Sequence, residues 1–309
     1  MRSRLFDFRG TLPAPENTFA SVYKTSNTIE PSHKSVSGTI ENLSRIFGIT
    51  GPTSNLGDTL QVRERSKVLT VYPFSDSFWY YDADLFANEN ILNSQNLPDP
   101  KSARVLANEF LGRNKLLQPN AQLMFHSYST VTSKNIYERP NIRDKTSRLI
   151  KTQRERVKEY NTEIHLHYQF QLDNLPVYGP GAKTRLSFAD PQTISGLYHF
   201  WRNPIQTKEK RRLLNPELAL ELFSRNPRFA QLEESSAQVI ISEMEYGYYA
   251  LPPREIQNYL LPVYIFHGTV TTKKLPSYEF TLYMVSVRYT DNEIKEMGVD
   301  IGMTKTIVF

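Results

Sequence analysis

Cysteine is absent from the 309-residue chain. That removes disulfides, thiolate catalysis and cysteine-based zinc sites together, and leaves the compartment open. The Walker spacing G-x-x-x-x-G-K-[ST] occurs nowhere, nor does the G-x-S-x-G elbow of a serine hydrolase. The six histidines, His33, His126, His165, His167, His199 and His267, form no triad pattern. No window approaches the roughly 20 apolar residues of a membrane helix. The start, MRSRLFDFRGTLPAPENTF, carries arginines but lacks the apolar core of about 7–15 residues that a secretory signal needs. Charge of one sign is not in large excess either. The 37 Lys and Arg against 32 Asp and Glu leave a formal +5, which favours solubility and leans only slightly toward anionic partners.

What the chain does have is rings in alternating runs. Eighteen tyrosines and seventeen phenylalanines, with only 13 glycines, point to antiparallel sheets with one packed and one wet face. Three short amphipathic helices are expected, over 36–47, 100–111 and 216–223. In the first, Val36, Ile40, Leu43, Ile46 and Phe47 share a stripe, with Gly48 as stop. The second has Asp99 as N-cap and Pro100 in the first turn, with Ala103, Leu106, Ala107, Phe110 and Leu111 buried. The third repeats that punctuation with Asn215 and Pro216 and turns Leu218, Leu222 and Phe223 inward. Strand-rich stretches follow each helix. The clearest is 163–172, where Ile164, Leu166, Tyr168, Phe170 and Leu172 alternate with Glu163, His165, His167, Gln169 and Gln171.

The expected fold class is therefore α+β, with three tandem units of one helix packed on a small antiparallel sheet. An extended arm occupies 1–34, and the units span 35–95, 96–205 and 206–309, the last with a C-terminal tail.

Candidate chemistry is thin. His165 and His167 sit two apart on one strand face and are candidate metal ligands, with a solvated polar face as the favoured reading. The segment 143–158 concentrates Arg143, Lys145, Arg148, Lys151, Arg154, Arg156 and Lys158 against Asp144 and Glu155, a net +5 like that of the whole chain. It is a candidate polyanion contact, for an anionic polymer or membrane surface, although a solvated loop is favoured and no nucleic-acid module surrounds it. GPGAK (179–183) reads as a β-turn rather than a phosphate cradle. Of Phe78, Trp79, Tyr80 and Tyr81, half must face the core, as must part of Tyr248 and Tyr249. The remainder could line a sugar- or peptide-binding face. No catalytic residue and no cofactor are assigned.

The stretches FQLDNLPVYGPGAKTRLSFADPQTISGLYHFWR (170–202) and MEYGYYALPPREIQNYLLPVYIFHGTV (244–270), with the helix PKSARVLANEFLGRNKLL (100–117), resemble PepSY-type domains and the bacterial YycH and YycI regulators of a cell-wall histidine kinase. The resemblance covers about two thirds of the chain. It implies a PepSY/cystatin-like α+β fold and an extracytoplasmic protein, secreted or membrane-tethered, that acts by contact. That placement requires a trimmed leader or anchor; otherwise the cytoplasm is expected. The expected function is non-enzymatic binding of a protein partner through sheet faces or edges. The alternatives are a self-assembling structural or cell-surface component, a protease-propeptide-like inhibitor, or a glycan or peptide hydrolase.

Overall fold

Alternating apolar positions need a partner strand on each edge as well as a covered face. Here those edges are satisfied by joining all fifteen described strands into one sheet. The computed structural model describes residues 5–15, 18–25, 33–75, 77–87, 97–117, 122–137, 156–225, 237–272 and 276–288. In chain order the elements are β1 (Phe6–Phe8), β2 (Phe19–Thr25), α1 (His33–Phe47), β3 (Thr53–Asn55), β4 (Leu60–Glu64), β5 (Lys67–Tyr72), β6 (Ser77–Asp82) and α2 (Ala83–Ala87). There follow α3 (Pro100–Arg113), β7 (Gln122–Tyr137), β8 (Arg156–Leu172), β9 (Leu175–Tyr178), β10 (Lys183–Asp190), β11 (Thr193–Phe200) and β12 (Pro204–Arg212). The chain continues through α4 (Pro216–Ser224), β13 (Gln238–Tyr249), β14 (Tyr259–Thr271) and β15 (Tyr278–Val285). Side chains are described from residue 38 in α1, to 85 in α2, to 131 in β7 and from 161 in β8.

Eight strands, in the order β7-β8-β10-β11-β6-β5-β4-β3, are antiparallel throughout. A second set is built on β13 and β14. It takes β15 and β2 on β14, β12 on β2, and β1 and β9 in parallel on β13. β9 joins the two sets, pairing antiparallel with β8 and parallel with β13.

The helices obey local rules. Asp99 Oδ1 accepts from the amides of Lys101 (2.9 Å) and Ser102 (3.1 Å), and Pro100 opens α3. Ala103, Ala107 and Leu111 are fully buried, and the two alanines let α3 lie close on the sheet. In α1, Phe47 stacks on Tyr80 at 4.1 Å, and Gly48 follows at φ 61° as a left-handed stop. In α4, Asn215 caps and Phe223 stacks on Phe266 at 3.9 Å.

The expectation of three tandem helix-on-small-sheet units, and with it the PepSY/cystatin-like α+β description, is overturned by this 15-stranded mixed sheet with four helices among the described residues. α1 and α3 share one core over the eight-stranded set, and α4 covers the β13–β15 set. Pairing crosses both expected boundaries, near 95 and 205, through β6·β11 and β2·β12, and two strands lie within the expected arm. The physical reason is that alternation marks a buried face but does not name the neighbouring strand, and an open small sheet would leave its backbone groups unpaired at both edges. Leu218 and Leu222 are also corrected. At 36% and 40% exposure they lie outward, while Ala219 and Phe223 face the core.

The joint at β9 is tight. Asp173 and Asn174, both at positive φ, turn β8 into β9. The next loop then lies directly on the end of β13, with Ala250 N donating to Tyr178 O (2.9 Å) and Gly181 N to Ala250 O (3.2 Å). A Cβ on Gly181 would overlap Leu251 O, and one on Gly179, which has φ 98°, would overlap Ala250 O and the Tyr249 ring. Gly181→Ala is expected to destabilise the protein by about 3 kcal/mol in urea unfolding. Gly112→Ala, in α3 with open space around it, is expected to stabilise it by about 0.5–1 kcal/mol. Equal effects at the two positions would refute the tight joint.

Candidate functional site

α1, α3 and α4 pack on one side of the sheet, and on the other side only the β13–β15 set carries a buried apolar cluster among the described residues. On that side a row of residues crosses the strands in register: Ser127, His167, Arg185, Tyr198, Trp79 and Thr70. Tyr198 stacks on Trp79 at 4.9 Å and 24°, and the Arg185 guanidinium lies 4.4 Å from the Tyr198 ring centroid on the other side. The rings therefore stand on edge, with their faces used by neighbours on the adjoining strands. Phe78 and Tyr80, alternating with Trp79 and Tyr81, are buried in the core as alternation requires. Tyr248 and Tyr249 are both buried, because β13 is covered on both faces.

Where this row reaches the β9 joint, a cleft of about 940 Å³ opens. One wall is β8, β10 and β11, with His167, Arg185 and Tyr198. The other is β9, β13, β14 and β15, with Tyr178, Glu245, His267 and Tyr283. The bulge in β7 after Phe125 brings His126 to the rim.

The second wall holds its charge in a closed network. Tyr178 Oη donates to Glu245 Oε2, His267 Nε2 lies 3.3 Å from the same oxygen, and His267 Nδ1 lies 3.0 Å from Thr281 Oγ1. The hydrogen bond with His267 holds the Glu245 carboxyl below the usual glutamate value, and the same bond raises His267. Burial, and then the bond to Glu245, push the Tyr178 phenol up. On the first wall the balance is reversed. Burial, followed by the charges of His165 and Arg185, makes His167 harder to protonate.

The two candidate metal ligands do not converge. His165 Nε2 is 2.8 Å from Glu163 Oε2, and His167 Nε2 is 2.9 Å from Ser129 Oγ. Their ring centroids are 6.4 Å apart. Among the described residues no group of three or more His, Cys, Asp or Glu side chains is placed to hold a metal ion. Glu163 is fully buried, and its Oε1 has no hydrogen-bond partner among the described residues. The Ser129–His167 contact has the reach of a nucleophile and base, but no acid orients the ring among the described residues. His199 is a core residue, packed between Phe78 and Phe170. The candidate polyanion contact lies outside the described residues: 143–155 wholly, Arg156 and Lys158 in their side chains.

Sequence reasoning missed Arg185, Tyr178, Glu245 and His267. The signal for Arg185 was available, since Lys183 and Arg185 alternate with the buried Thr184 and Leu186.

No protein-family model matches the chain, and no curated protein does. A crystal structure of an uncharacterized protein from Eubacterium rectale superposes with a TM-score of 0.47 at 11% identity, covering 94% of this chain and 90% of that one. These comparisons supply no likeness to PepSY-type or YycH and YycI proteins. No helix among the described residues is long and apolar enough to cross a membrane.

Two pH effects follow. Burial pushes His199 down to about 4 from 6.5. The unfolded chain protonates this ring below 6.5 and the native one only near 4, so stability present above 6.5 is lost across that interval, by about 3 kcal/mol. His199→Gln is expected to flatten the fall in unfolding free energy between these limits; an unchanged slope would exclude the effect. For the cleft pair, the raised His267 stabilises below its unfolded pKa and loses this as pH rises through its folded one. The lowered Glu245 stabilises above its unfolded value and loses this as pH falls through its folded one. Their joint contribution therefore peaks between 4.5 and 6.5. It stays below about 1 kcal/mol because both side chains keep solvent contact.

Proposed function

We propose that the protein is a non-enzymatic binding protein that holds an extended segment of a protein partner in the cleft across the β9 joint. The observation that carries this is the cleft itself. Its volume of about 940 Å³ lies near the top of the range for ligand sites, roughly 300–1,000 Å³, and suits several residues of extended chain. Both walls are strands, whose alternate side chains offer hydrogen-bonding groups at regular intervals to an extended peptide. A binding role also accounts for Glu245 and His267, which compensate each other and so set the shape and charge of the wall. Extracytoplasmic placement, which the sequence resemblance implies, belongs to the same proposal.

A peptide library displayed on phage tests it, with Gln169→Trp as the cleft-filling variant, since Gln169 lies on the cleft-lining face of β8. Peptides selected by the wild type are expected to lose at least about tenfold in affinity for Gln169→Trp. Selection of none, or of peptides indifferent to the substitution, would sink the proposal.

A second reading, self-assembly, is favoured by β7. Among the described residues its outer edge has no partner strand, and Met124 and Tyr128 are about half exposed there. Light scattering is expected to show dimers or larger species that Tyr128→Lys returns to monomer; a wild-type monomer at all concentrations removes this reading.

A further inference from the structure

Among the described residues the cleft holds a guanidinium, that of Arg185, that no acidic side chain compensates. Among the described residues the Arg185 side chain has no ion pair, and its Nε is buried without a hydrogen-bond partner. Burying a guanidinium is costly unless it is paired, so an open-sided pocket around an unpaired one is a place where an anion is gained at little further desolvation cost. The stack on Tyr198, itself backed by Trp79, fixes the guanidinium and leaves its donors directed away from the ring. Lys183, exposed and two residues back on the same face, adds a second positive charge. Among the described residues the only carboxylate lining the cleft is Glu245, and it is already held by Tyr178 and His267.

We propose that Arg185 anchors a carboxylate carried by the segment held in the cleft, so that the partner's segment is acidic. This rests on the binding reading above and names the chemistry of its ligand. Tyr198 offers no stacking platform to a sugar or a nucleobase beside Arg185, because the guanidinium lies over its ring and Trp79 stacks on it. A planar carboxylate matches the guanidinium fork with two parallel hydrogen bonds, and an extended peptide brings alternate acidic side chains toward Arg185 and Lys183.

The probe is an end-blocked oligoglutamate peptide, compared with an oligoglutamine of equal length and with inorganic phosphate. Binding is followed by calorimetry and by the emission of Trp79, whose ring stacks on the tyrosine that carries Arg185. Oligoglutamate is expected to bind and to shift that emission, and oligoglutamine is expected to do neither. Arg185→Gln should weaken binding at least about tenfold while the melting temperature stays within about 4 °C of the wild type. Arg185→Lys, which keeps the charge without the fork, should recover part of the loss. If Arg185→Gln does not fold, Arg185→Lys carries the test, and full wild-type affinity in it overturns the proposal.

Binding that survives Arg185→Gln, as a contact on the basic segment 143–158 would, overturns it too. So does phosphate binding as tightly as oligoglutamate. The two readings fail separately. Library peptides that are neutral, blocked by Gln169→Trp and unaffected at Arg185 would keep the cleft and remove the acidic partner. Oligoglutamate that needs Arg185 yet ignores Gln169→Trp would remove the cleft.

Discussion

Backbone contact at β9 decides the architecture, because that short strand lies within hydrogen-bonding reach of β8 on one side and β13 on the other. Glycines at 179 and 181 permit the approach, and a polar latch beside them secures it. The Arg202 guanidinium is 1% exposed and donates to the carbonyls of Phe74 (3.1 Å), Pro252 (2.6 Å) and Glu255, tying the β5–β6 turn to the β13–β14 loop. Gln257 closes the same loop, accepting from Leu251 N at 2.9 Å and donating to Tyr249 O at 3.0 Å. Ser75 donates to Pro253 O at 3.2 Å. Buried polar groups of this kind are costly when unmatched, so the pattern of carbonyls around Arg202 specifies one arrangement of the two strand sets.

The joint also determines where the cleft lies. With α1, α3 and α4 all on one side, apolar residues of β8, β9 and β13 form a buried cluster of their own, in which Phe170 stacks on Trp201 at 3.8 Å. The alternate residues of the same strands must then face the other way. Gln169, Tyr178 and Glu245 meet there because their strands meet, and His267 and Arg185 come from the next strands out. The cleft is thus a consequence of strand register.

This explains what could and could not be read from the chain. Local signals were legible: the caps Asp99 and Asn215, the stop at Gly48, the alternation from Ile164 to Leu172, and the burial of half of the rings at 78–81, though not which half. Pairing was not, since β6 meets β11 and β2 meets β12 across more than a hundred residues, and no local pattern encodes a partner at that distance. Leu218 and Leu222 misled because helical spacing alone allowed a second apolar face on α4, and only the position of β14 shows that Phe223 holds the core side. Arg185, Tyr178, Glu245 and His267 lie in four different strands, so their chemistry exists only after the joint forms.

A site made of strand side chains has a further property. Its rings and charges are fixed by cross-strand neighbours, as in the Arg185, Tyr198 and Trp79 stack, and by hydrogen bonds, as in the Tyr178, Glu245 and His267 network. Little side-chain freedom remains to be lost on binding, and preorganisation of this sort favours affinity more than added contact area does. In the Glu245 and His267 pair each partner stabilises the other's charged form. In the proposed binding role, Arg185 on the opposite wall sets the sign of the ligand, and the closed network facing it keeps Glu245 from neutralising that charge.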